Sequence, residues 1–124
     1  MKTEKEICDL VKSYEDACVL NDEKPMDEFA MEYVGFTKAE IALRKLEAIG
    51  RALNQSWKAD WNDSGQQKWF PWFRVSPSGF SFLDTNYYCS HPSAGFASRL
   101  CFVSDETAAY AGKQFIELYK IAIL

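Results

Sequence analysis

The apolar residues of this chain change rhythm twice along its length, and that change constrains its fold more than any other feature. Up to Trp57 they recur at steps of three and four, between Lys68 and Val103 they alternate, and from Ser104 the longer step returns. The first spacing lines one face of a helix and the second gives a strand one dry face. Helices, then strands, then a helix read as an α+β domain rather than as parallel βαβ units. A chain of 124 residues supports one domain, residues 1–124, with enough interior to fold without disulfides or metal.

The helical part divides at its start and stop signals. Thr3 and Glu6 form a capping box, and Ile7, Leu10, Val11, Tyr14, Ala17 and Cys18 form one stripe, so a single first helix is expected to run to a stop at Asn21. A short second helix opens at Pro25 and ends at Gly35, with Met26, Phe29, Ala30 and Tyr33 inward. The third has a capping box at Thr37 and Glu40, with Phe36 and Ile41 placed as a hydrophobic staple. Its buried row is Ala42, Leu46, Ile49, Leu53 and Trp57, and Gly50 marks close packing.

In the alternating part, Trp69, Phe73 and Val75 share a face of a first strand, and Pro71, which has no N–H to give a ladder, makes it an edge or bulged strand. Ser76, Pro77, Ser78 and Gly79 suit a tight turn into a second strand over Gly79–Asp84 that continues through Tyr87, Tyr88 and Cys89. Ser98–Val103 is expected as a third strand. Ser104 then caps a last helix with Ala108, Ala111, Phe115, Leu118 and Ala122 inward. The expected architecture is two layers, a short antiparallel three-stranded sheet packed against helices in the order ααα-βββ-α.

Two segments carry a resemblance. Trp57–Phe73 reads WKADWNDSGQQKWFPWF and Ser98–Tyr119 reads SRLCFVSDETAAYAGKQFIELY. Together they resemble a family of small uncharacterised proteins encoded by phages, prophages and other mobile elements of gut bacteria. The resemblance covers about a third of the chain. It implies a mobile-element origin and a bacterial cytoplasmic setting, and it brings no activity and no site residues. Met1–Leu10 lacks the apolar segment that export requires, and the longest uncharged stretch, Thr85–Ser98, is too short and polar to cross a bilayer. A cytoplasmic protein, with no membrane partner and cysteines kept as thiols, is therefore expected.

Charge and aromatic residues suggest two surfaces. Residues 1–35 carry four bases and ten acids, residues 36–75 seven bases and four acids, and the remainder three and four. The basic middle brings Arg44, Arg51, Lys58, Lys68 and Arg74 together with Trp57, Trp61, Trp69 and Trp72, the mixture of cations and stacking faces that a single-stranded nucleic acid requires. Against that reading, the whole chain has a net charge of −4, which opposes nucleic acid at long range. The second surface is the strand Lys68–Val75, where Phe70 and Trp72 point opposite to Trp69 and Phe73. A sheet covered on one side needs only one dry face, so Trp69, Phe70, Trp72 and Phe73, with Trp61, form a candidate surface for a protein partner or a homodimer. The plainer alternative is that helices cover both faces.

Chemistry is sparsely provided. His91, the single histidine, stands two residues from Cys89, but no third group orients the pair, and Cys89, His91 and Cys101 match no familiar zinc spacing. Asp60 and Asp63 fit turn chemistry better than catalysis. Glycines are scattered singly, without a phosphate cradle. No catalytic residue, metal ligand or cofactor is expected. The leading reading is a non-enzymatic interaction module, with a nucleic-acid accessory as the alternative.

Overall fold

The computed structural model describes residues 2–89 and 100–124. Among them the chain forms α1 (Glu4–Leu10), α2 (Tyr14–Asn21), α3 (Glu28–Tyr33), α4 (Lys38–Asn54), β1 (Lys68–Ser76), β2 (Gly79–Tyr88), α5 (Asp105–Gln114) and α6 (Ile116–Ile123). The α+β class follows, with one antiparallel two-stranded sheet among the described residues.

The core lies between helices. Ile7, Val11 and Ala17 of the N-terminal segments meet Leu46, Ile49 and Leu53 of α4, and Ala108, Ala111, Phe115 and Tyr119 close the cluster from the C-terminal side. Phe102 is buried among them. The long α4 starts where Thr37 accepts from the Glu40 N–H and Glu40 accepts from the Thr37 N–H, the reciprocal box expected of that sequence.

The first helix is divided in two. Ser13 accepts from the Asp16 N–H while Asp16 accepts from the Lys12 N–H, so Ser-x-x-Asp starts a new helix within the apolar stripe. Carbonyls freed at the break are taken up by α5, where Tyr110 Oη donates to Val11 O and Gln114 Nε2 to Lys12 O. The last helix is likewise interrupted at Phe115, whose φ of −110° and ψ of 29° leave the helical range.

The expected inward face of the short helix, α3, is also corrected. Phe29 is 81% exposed and Tyr33 84% exposed, and no residue of α3 is buried. Glu28 and Glu32 instead turn toward α4, pairing with Lys45 at 2.9 Å and Lys38 at 3.1 Å. Two ion pairs therefore join this six-residue helix to α4, and its aromatic rings face outward. Met26 alone of the expected set packs on the core, just before the helix starts.

β1 and β2 join through Pro77 and Ser78, with Ser76 opposite Gly79, and Gly79 has a φ of +146° that favours glycine. The register pairs Trp69 with Tyr87, Pro71 with Thr85 and Phe73 with Phe82, and shifts by one residue at Leu83. The expected third strand shrinks to one bridge. Phe102 exchanges both backbone bonds with Trp69, at 3.0 and 2.8 Å; the next rung would need an N–H from Pro71, which has none, and the groups of Cys101 and Val103 face away from β1. Asn54 Nδ2 donates to Cys101 O and Asn54 Oδ1 accepts from the Val103 N–H, each at 3.0 Å, so one carboxamide at the end of α4 stands where a further strand would pair. Ser98 and Arg99, the start of that expected strand, lie outside the described residues.

Two helical glycines have opposite meanings. A Cβ on Gly112 of α5 would come within 2.7 Å of both Phe82 and the Pro71 ring, so glycine is what lets α5 lie on the hairpin. A Cβ on Gly50 of α4 would meet Phe102 at an ordinary 4.0 Å, so close packing is not the reason for glycine there. Chemical unfolding of the two variants is expected to move in opposite directions. Gly112→Ala should lose about 1–3 kcal/mol by overpacking, and Gly50→Ala should gain up to about 1 kcal/mol from helix propensity.

Candidate functional site

The hairpin and the loop before it hold nearly all the residues that the sequence singles out, and the structure sorts them into separate places. On one face of the hairpin Trp69, Pro71 and Phe73 look toward the helices. Trp69 meets Tyr87 at 4.8 Å between ring centroids, and Phe73 meets Phe80 and Tyr119 at 4.9 Å each. Phe70 and Trp72 lie on the opposite face, as expected from their spacing. There Trp72 is 45% and Tyr88 51% exposed, Phe70 is half-buried with an edge-to-face contact to Tyr88 at 5.5 Å, and Arg74, Asp84 and Asn86 are exposed. Leu83, unpaired at the register shift, is exposed as well.

Both edges of this hairpin are blunted. The N–H and C=O of Trp69 go to Phe102, so alternate residues of β1 direct their backbone groups away from β2. Pro71 occupies the next such position, where its missing N–H costs no ladder bond. On the outer edge of β2 the Thr85 N–H donates to Asp84 Oδ1 and the Tyr87 N–H to Asn86 Oδ1, each at 2.8 Å. Side chains therefore cap the donors that a further strand would need.

Trp61 does not join this surface. It lies with Trp57 in the connection after α4, and both line an open groove of about 750 Å³ together with Arg51, Asn54, Lys58 and Cys101. The turn that carries them is built as the residue types imply, with Asp60 accepting from the Asn62 N–H and Asp63 from the Gly65 N–H, each at 2.9 Å. Behind it sits Lys68, which is 0% exposed. Its Nζ donates to Asp63 O at 2.9 Å and Gln66 O at 3.1 Å, and lies 5.0 Å from the centre of the Trp61 ring. Backbone oxygens and an indole face thus surround a cation that hydrogen bonds keep in place.

This corrects the expected basic surface. Lys68 holds the loop from inside and presents no charge to solvent. Arg44 lies over the Phe36 ring at 4.9 Å, and Arg74 belongs to the outer face of the hairpin. Of the five expected cations, Arg51 and Lys58 line the tryptophan groove. Arg51 is bonded there to both oxygens of Glu23, at 2.8 and 3.1 Å, and the guanidinium holds the Glu23 carboxyl below its usual range.

Burial pushes the Cys101 thiol up to about 11, against the pull of its own backbone N–H and of the Lys68 charge. Cys8 is raised as well, by burial and then by Glu4 and Asp9. Neither is an activated nucleophile, since activation requires a lowered thiol pKa. The four cysteines form no disulfide, and His91 lies outside the described residues. Among the described residues no helix is long and apolar enough to cross a membrane. Comparison with protein-family models, with curated proteins and with solved structures finds no match.

Lys68→Met keeps the stem and removes the donors. Its expected outcome is a loss of about 1–3 kcal/mol, a red shift of Trp61 emission and faster proteolysis between residues 58 and 66. Alkaline titration gives a second check. The unfolded Cys101 thiol ionises near 9.0 and the folded one near 11, so its contribution is complete below the lower value and disappears as pH rises through the higher. Burial raises Tyr110 to about 12 and Tyr119 further, which acts in the same direction at higher pH. Unfolding free energy measured across this range should fall, and Cys101→Ala should remove on the order of 2 kcal/mol of that fall.

Proposed function

We propose that this protein is a non-enzymatic interaction module of a phage or other mobile element, acting in the cytoplasm and docking a protein partner, or a second copy of itself, through the outer face of the hairpin. The observation that carries the reading is the exposure of Trp72 and Tyr88 beside half-buried Phe70 on the face turned away from the helices. Large aromatic rings held on a rigid strand lose little conformational freedom on binding and dominate the energetics of protein interfaces. The charges beside them, Arg74 and Asp84, are of opposite sign, which suits a near-neutral apolar partner better than a polyanion. Capped edges favour docking through side chains over strand addition. The mobile-element setting rests on the resemblance of Trp57–Phe73 and Ser98–Tyr119.

Trp72→Ser with Tyr88→Ser separates this reading from a simple folding role. Both positions are exposed, so thermal unfolding should change little. Sedimentation of the purified protein, and co-purification from a host carrying the mobile element, should show loss of the dimer or of one specific partner. A wild-type monomer that captures nothing the double variant fails to capture would reject the proposal.

A further inference from the structure

None of the residues lining the tryptophan groove belongs to the hairpin. Its walls are fixed before any ligand arrives. Asn54 in the floor is held at both ends by Cys101 and Val103. The loop wall carrying Trp57 and Trp61 is anchored from behind by the buried Lys68. Gln55, at the end of α4, is committed to Lys2, donating to its carbonyl and accepting from its N–H. Such a groove costs little reorganisation on binding. Its volume of about 750 Å³ is of the size that holds a small organic ligand.

Two indoles supply stacking area, Lys58 supplies an exposed ammonium, and Arg51 keeps a guanidinium at the rim. Stacking faces beside cations match a planar heteroaromatic ring that carries an anionic group. Two carboxylates share the lining, Glu47 of α4 and Glu23 of the acidic N-terminal segment, and Glu23 neutralises Arg51. The long-range field is therefore weak, and recognition rests on short-range contacts inside the groove. That favours one ring and one phosphate over a long polyanion track. We propose that this groove binds a nucleobase bearing a phosphate, the base against Trp57 and Trp61 and the phosphate on Lys58 and Arg51, whether the ligand is a free nucleotide or a nucleotide of a single strand.

Binding is read by calorimetry with two probes at low salt, adenosine monophosphate and an oligothymidylate of about eight residues. Saturable binding of the mononucleotide assigns the site to free nucleotides, and binding of the oligonucleotide alone assigns it to single strands. Trp57→Leu and Lys58→Ala, each checked for retained folding by circular dichroism, should weaken binding at least about five-fold, equivalent to roughly 1 kcal/mol. Added salt should weaken it further. Glu23→Gln releases Arg51 and should tighten binding. The proposal is overturned by the absence of binding to both probes, or by binding that neither Trp57→Leu nor Lys58→Ala weakens. A weaker complex on Glu23→Gln would remove Arg51 from the phosphate site.

Discussion

A two-stranded hairpin is marginal by itself in water, so the architecture depends on the contact that seats this one on the helices. That contact is the approach of α5 to Pro71 and Phe82 at Gly112, where a single added methyl would collide. Phe73 reaches past it to Tyr119, and Trp69 is tied to Phe102 through the backbone. With α5 and the core on one side, the remaining rings of β1 have nowhere to go except the other face. The exposed aromatic surface is thus a consequence of how the sheet is held, since a strand with aromatic residues on both faces cannot hide both sets against one layer.

Two polar side chains do work that secondary structure usually does. Asn54 satisfies the outer backbone groups on either side of Phe102, along the edge turned away from β1. Lys68 gathers the carbonyls of Asp63 and Gln66 and so turns an exposed connection into a fixed wall. In both cases the cost of burying a polar group is offset by hydrogen bonds that also position neighbouring residues. The tryptophan groove is the space these two anchors leave between them.

Local rules made much of this legible. The cap at Thr3, the capping box at Thr37, the row Ala42, Leu46, Ile49 and Leu53, the turn at Pro77–Ser78, and the opposed faces of Phe70 and Trp69 all follow from spacing and residue type. At Thr3 the box is half made, because the Glu6 carboxylate accepts from the Thr3 hydroxyl and not from its N–H. The departures arise where a distant group decides. Ser13 and Asp16 carried a local signal for the break between α1 and α2, but the apolar stripe running through it masked that signal, and the partners that stabilise the break, Tyr110 and Gln114, lie on α5. The outward turn of Phe29 and Tyr33 accompanies the pairing of Glu28 and Glu32 with Lys45 and Lys38 of α4. Residue type alone places Lys68 on the surface. Its partners are backbone oxygens, which a sequence does not display. Trp57 and Trp61 stood out by type, but the groove they share with Arg51 needed the fold.

Pro71, Asp84 and Asn86 also bear on how large an assembly can become. A ribbon with greasy rings and open margins would recruit copy after copy and grow into a fibre of stacked chains. Here the margins are shut while the exposed rings lie on a flat side, so association through that side would use up the apolar area in one step. Self-assembly by this route would end in a closed pair and would not propagate.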